Sequence, residues 1–182
     1  GHSRSGNSNT SAARYTRAEQ QKLMSVMDKL LQAIATLGPI GKLPAPGTAG
    51  SVVAVITGLY LMSFGPLILG FGCLIVLVIG TIASEHYTRI TGRKDPSEVI
   101  IDEVAGQWSV LLCIPYGTPD MLIWVGAGFL LFRFFDIVKP PPVSTAEALP
   151  GGIGIMADDM VAGTLAGICL LILSYLTGTP LF

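Results

Sequence analysis

Five apolar stretches, at roughly 49–64, 66–84, 99–116, 119–138 and 157–177, follow one another with only short polar breaks. A helix crossing the hydrocarbon core of a bilayer needs about 20 such residues. The first and third stretches are marginal for that length, so they either tilt or re-enter. Turn signals separate the stretches: Gly65-Pro66, Gly92 to Pro96, Gly117-Thr118-Pro119, then Pro140-Pro141-Pro142 and Pro150-Gly151-Gly152. The expected fold class is all-α, a polytopic membrane helix bundle with about five spanning segments. Composition agrees, since 51% of the 182 residues are hydrophobic and only 13% are charged. Soluble domains carry nearly twice that charge.

Three regions are expected. Residues 1–16 read as a tag remnant (Gly1, His2, Ser3) followed by a polar, irregular N-terminus with no apolar core of a signal peptide. Residues 17–37 read as an amphipathic helix, because Leu23, Met24, Met27, Leu30, Leu31 and Ile34 recur at helical spacing among polar residues. That helix either lies in the membrane interface or packs on the domain. Residues 38–182 form the membrane domain, opened by the loop "GPIGKLPAPGTAG". Cys73, Cys113 and Cys169 sit singly in apolar runs, with no metal or disulfide spacing, and read as small buried side chains.

Charge fixes the orientation. With five crossings, one side receives the N-terminal region and the connections 85–102 and 139–157. Every Lys and Arg falls on or beside that side: Lys22, Lys29 and Lys42, then Arg89, Arg93 and Lys94, then Arg133 and Lys139. The positive-inside rule makes it cytoplasmic, with the C-terminus outside. Net charge is −1, so nothing points to nucleic acid.

The acids gather on the same side. Asp102 and Glu103 start the third stretch, Asp136 ends the fourth, and Asp158 and Asp159 start the fifth, whereas Asp120 falls outside. Carboxylates crowded at one depth repel unless a cation bridges them, and hard oxygen ligands select Mg²⁺, Mn²⁺ or Ca²⁺ over Zn²⁺. His86 stands alone and reads as an interface residue. Small residues follow the acids by one helical turn, Ala105 and Gly106 after Asp102, Ala162 and Gly163 after Asp159, so the helices can approach closely.

In "RFFDIVKPPP", Arg133, Asp136 and Lys139 fall at i, i+3 and i+6 along one helical side. Asp136 can face the metal while Arg133 and Lys139 donate to a phosphate, the combination that phosphoryl chemistry requires. An intrahelical charge ladder is the plainer alternative. Amides at helix starts also cradle phosphate, which brings in "PAPGTAGS" with Gly47, Thr48 and Ser51, and "GGIGIMADD". Asp95, Glu98 and Glu85 rank second, as caps or outer members of the metal shell. A divalent-cation transporter is the rival of another class. It expects charges near the midplane or on both sides, and it leaves Arg133 and Lys139 repelling the cargo.

The motifs "LPAPGTAGS", "DPSEVIIDEVAGQW", "GFLLFRFFDIVKPPP" and "GGIGIMADDMVAG", in this order over about residues 38–175, resemble the bacterial phosphatidylglycerophosphatase A family. The resemblance implies a Mg²⁺-dependent, multi-pass lipid phosphatase of the inner membrane. Its reaction would convert phosphatidylglycerophosphate to phosphatidylglycerol and inorganic phosphate, with the site facing the cytoplasm. It matches the acidic doublets to Asp102 and Glu103 and to Asp158 and Asp159. The Arg/Asp/Lys-Pro motif falls on Arg133, Asp136, Lys139 and Pro140, and the loop motif on Pro46, Gly47, Thr48 and Gly50. Expected metal ligands are Asp102, Glu103, Asp136, Asp158 and Asp159, and the phosphate is expected on Arg133 and Lys139 with Gly47, Thr48 and Ser51. Attack by water and attack by Asp158 or Asp159 through an aspartyl phosphate both stay open, as does another lipid phosphate as substrate.

Overall fold

The computed structural model describes residues 7–115 and 117–179, with side chains from Glu19 onward. Seven α-helices make up the fold among these residues, with no strand: α1 (Asn7–Thr36), α2 (Pro46–Met62), α3 (Pro66–Thr91), α4 (Ile101–Leu111), α5 (Met121–Val138), α6 (Val143–Glu147) and α7 (Gly151–Thr177). A 3-10 turn, Ile40–Lys42, leads into α2.

Backbone chemistry sets the ends. Pro46 and Pro66 occupy first-turn positions, where the missing N–H costs nothing. Gly92 ends α3 at φ 68°, the left-handed cap that glycine adopts without strain. Lys139 ends α5 in the same region, at φ 47°, although it carries a side chain. Prolines 140–142 then prevent the helix from resuming.

Three helices, α3, α5 and α7, are long and apolar enough to cross a bilayer; α2 is apolar but has 17 residues. The third expected span is a helix of only 11 residues, about 16 Å at the usual helical rise. Its apolar signal includes the turn at 112–115 and the approach to Ile101, which are not helical. At the N-terminus, α1 begins at Asn7 rather than near Arg17 and enters the stretch expected to be irregular. Ala12, Ala13 and Ala18 let a nucleated helix propagate at little cost. His2 and the tag remnant lie outside the described residues.

Helix α4 is the centre. Nine of its 11 residues are buried, and it packs on α2, α3, α5 and α7. The α4–α7 crossing depends on two glycines. A Cβ on Gly106 would stand 2.7 Å from the Asp159 carbonyl oxygen, and one on Gly163 would meet the Gly106 carbonyl. Trp108 Nε1 donates to the Ala54 carbonyl at 2.8 Å, tying α4 to α2. Outside this core the chain is apolar too. Leu67 and Leu122 are each 76% exposed and Tyr175 86%, which suits lipid as solvent rather than water.

On α1 the amphipathic stripe divides. Leu31 and Ile34 pack toward the core, whereas Leu23, Met24, Met27 and Leu30 stay exposed. His86 Nε2 lies 3.3 Å from Asp28 Oδ1, linking α3 to α1.

Candidate active site

A cavity of about 320 Å³ opens where the start of α2, the start of α4, the end of α5 and the first third of α7 converge. Gly47, Thr48, Asp102, Glu103, Arg133, Asp136, Lys139, Asp158 and Asp159 all line it. Of the residues singled out in the sequence, these nine are brought together. Ser51 stands just behind the wall, fully buried. Asp95 also lines the cavity. Glu98 instead pairs with exposed Arg93 at 2.8 Å, whose hydrogen bond holds the Glu98 carboxyl below its ordinary range. Glu85 turns away and accepts from the Gly152 amide at 2.9 Å, bracing the start of α7.

Helical spacing explains who meets whom. On α5, Arg133 and Asp136 are one turn apart, and Arg133 Nη1 lies 2.8 Å from Asp136 Oδ2. The same nitrogen donates to Glu103 Oε1 at 2.6 Å and Oε2 at 2.7 Å. Ser51 donates to Glu103 Oε2 at 2.6 Å. Both Glu103 oxygens are therefore occupied. Gly47 sits against this pair so closely that a Cβ there would collide with Glu103 Oε1.

Lys139 holds the other half. Its Nζ donates at 2.8 Å to both Asp158 Oδ2 and Glu147 Oε1. Burial opposes the charge, but those two hydrogen bonds outweigh it and raise the ammonium above its ordinary pKa. Glu147 escaped the sequence reading. It stands eight residues beyond Lys139, across three prolines, with no helical periodicity to connect them.

The remaining carboxylate oxygens define the chemistry. Asp102 Oδ1 accepts from the Glu103 amide at 2.9 Å, and Asp158 Oδ1 from the Asp159 amide at 3.0 Å. Asp159 Oδ2 is buried without a partner. Six carboxyl side chains line the cavity against two cations, so four negative charges remain uncompensated if all are ionised. Among the described residues, however, no three acid, His or Cys side chains close around one point as a ready metal site. Arg133 and Lys139 draw Glu103, Asp136 and Asp158 toward themselves instead. The donor set still fits a hard divalent cation: every donor is oxygen, and one buried oxygen has nothing else to bind.

Acids, an arginine and a lysine around one polar cavity of a helical membrane protein suit phosphoryl chemistry on a membrane lipid. The family profile described as phosphatidylglycerophosphatase A matches residues 33–174. The chain belongs to the phosphatidylglycerophosphatase A family. It is 35% identical over 157 residues to a phosphatidylglycerophosphatase A of Haemophilus influenzae, covering 80% of this chain and 94% of the relative. A protein of the same name from Escherichia coli is 38% identical over 123 residues, 66% and 69% of the two chains. A Bacteroides thetaiotaomicron relative named "Putative phosphatidylinositol-3-phosphatase" is 39% identical over 140 residues, 74% and 86%. No solved structure matches.

Proposed function

We propose that this phosphatase hydrolyses phosphatidylglycerophosphate to phosphatidylglycerol and inorganic phosphate, with Mg²⁺ as cofactor, at the cytoplasmic face of a bacterial inner membrane. One observation carries the reading: Arg133, Lys139 and the Gly47–Thr48 turn face the same cavity as Asp102, Asp136, Asp158 and Asp159. Cationic donors opposite hard oxygen ligands suit a phosphate monoester.

Arg133 and Lys139 would bind the non-bridging oxygens, with the Thr48 hydroxyl completing the cradle. Glu103 and Ser51 would hold Arg133 in place, since both Glu103 oxygens already accept from Arg133 or Ser51. Asp102, Asp159 and the free oxygen of Asp136 would hold Mg²⁺, which when bound neutralises phosphate charge and acidifies water. Asp158, fixed by Lys139, would orient the attacking group. Five crossings, with α2 tilted and α4 extended by its flanking turns, would put the basic connections together on the cytoplasmic side.

The test is phosphate release by purified protein from phosphatidylglycerophosphate, phosphatidylinositol 3-phosphate and phosphatidic acid, with Mg²⁺ and then EDTA. A clear preference for phosphatidylglycerophosphate that EDTA removes is expected. The second reading, phosphatidylinositol 3-phosphate as substrate, draws on the name of the Bacteroides relative and wins if that lipid is hydrolysed faster.

A further inference from the structure

We infer that the seam between α2 and α5 is the acyl-chain subsite of the phospholipid substrate, an inference that rests on the lipid-phosphatase reading above. A groove of about 300 Å³ lies between these helices, lined by Val52, Val55 and Ile56 on one side and Leu122, Val125, Gly126 and Phe129 on the other. No polar side chain lines it.

Its position relative to the cavity is fixed by helical geometry. Val52 follows Thr48 by four residues on α2, and Phe129 precedes Arg133 by four on α5. Both steps are one turn, about 5–6 Å along the axis. The two helices therefore carry a single stripe each, apolar for most of its length and ending in Thr48 on α2 and in Arg133 and Asp136 on α5. An apolar seam that runs out into a cation-bearing polar cavity has the polarity profile of a phospholipid. From Phe129 to Leu122 the seam is about 10 Å long, room for the distal part of one acyl chain. Ten residues separate Phe129 from Lys139, about 15 Å, which leaves space for the headgroup between chain and terminal phosphate.

Other apolar grooves do not lie on the helical faces that end in Thr48 and Arg133. The groove at Asp120, Trp124 and Thr177 sits at the opposite ends of α5 and α7 from the cavity. The larger one, beside Leu31, Ile82, Glu85 and Ile153, adjoins at Gly151 a cleft of about 60 Å³ whose lining mixes Leu149 and Ile155 with Lys94, Asp95, Glu147 and Asp158. A chain seated there would have to cross the charged side chains of Lys94, Asp95, Glu147 and Asp158 between tail and headgroup.

Gly126 makes the seam testable, because a Cβ there meets nothing within 4 Å, and the same holds for Gly70 on the lipid-facing side of α3. Gly126→Phe sends a ring into the groove from a Cβ that meets no protein atom; Gly70→Phe is the matched control, and Gly126→Leu serves if the larger variant is not recovered. The readout is the ratio of kcat/KM for dioleoyl against dihexanoyl phosphatidylglycerophosphate in mixed micelles. The ratio is expected to fall about tenfold in the Gly126 variant, the discrimination that a blocked apolar subsite gives, and to hold in the Gly70 variant. An equal ratio in all three proteins, or an equal fall in both variants, overturns the inference.

Crosslinking separates this result from the phosphatase reading. Full-length wild type in nanodiscs is irradiated with phosphatidylglycerophosphate carrying a diazirine in one acyl chain. Adducts on 52–56 and 122–129 are expected even if no phosphate were released, which would sink the enzymatic reading alone. Adducts spread over all lipid-facing helices, or concentrated on 81–89 and 150–153, overturn the seam.

Discussion

Arg133 of α5 and Glu103 of α4 meet as a nearly enclosed ion pair, Nη1 to Oε1 at 2.6 Å, with side chains 15% and 9% exposed. The pair joins two helices that also pack through Phe132 against Gly106 and Val110 against Gly128, and it fixes the guanidinium between Asp136 and Ser51. Breaking such a pair costs more than its net contribution, because the partner left behind stays buried and charged.

Arg133→Ala is therefore expected to destabilise the protein by about 3 kcal/mol, the usual cost of an orphaned buried charge. Arg133→Lys keeps a cation but loses the planar fork. It is expected to lower kcat/KM roughly 10²-fold, the loss typical of one misplaced transition-state donor. Detergent-phase thermal unfolding and phosphate release separate the two effects. An Arg133→Lys enzyme at wild-type rate would contradict the role given to the guanidinium.

Glu147 is expected to act through Lys139. Removing its charge with Glu147→Gln leaves Asp158 as the sole anionic partner of the ammonium. KM should rise several-fold with kcat little changed, whereas Lys139→Met should abolish turnover. The pH sign follows from the raised ammonium. Its stabilising contribution is fully present below the ordinary lysine pKa and is lost only as pH rises through the still higher folded value. Between pH 6 and pH 9, activity and thermal midpoint should show no step that Lys139→Arg removes.

How far the sequence foretold this arrangement differs by residue. Asp102, Glu103, Asp136, Asp158 and Asp159 could be assigned to one region because they sit at the ends of apolar stretches whose sidedness the basic residues report. Which oxygen meets which cation was not readable, since that depends on helix rotation. Glu103, expected as a metal ligand, also pairs with Arg133, a contact the sequence did not show. Hydropathy also marks where lipid is, not where a helix stops. Thus α3 runs on to Thr91 through Glu85 and His86, while α4 is shorter than the apolar stretch around it.

The α4–α7 crossing gives a stability prediction. Gly163→Ala puts a methyl against Ser109 Oγ, which can rotate away, and against the Gly106 carbonyl, which cannot withdraw without moving α4. Overpacking of this kind costs about 1–3 kcal/mol. Gly70→Ala, facing open space, should leave the thermal midpoint unchanged or slightly raised. Equal midpoints for the two variants would mean that the helices are not in close contact at Gly106.

Asp159 offers the sharpest test of the cation. Its Oδ2 is buried, has no hydrogen-bond partner and belongs to a cavity with excess negative charge. A divalent ion there would relieve both conditions, so EDTA should abolish activity and also lower the thermal midpoint, because ligand binding to the folded state stabilises it by mass action. Mg²⁺ or Mn²⁺ should restore both. Asp159→Asn should lose activity yet melt higher than wild type in EDTA, since a neutral amide removes the repulsion that the carboxylate suffers there. If EDTA leaves the midpoint untouched, and the Asn variant melts no higher in its presence, the acids are neutralised by Arg133, Lys139 and protons alone, and the metal has no place in this cavity.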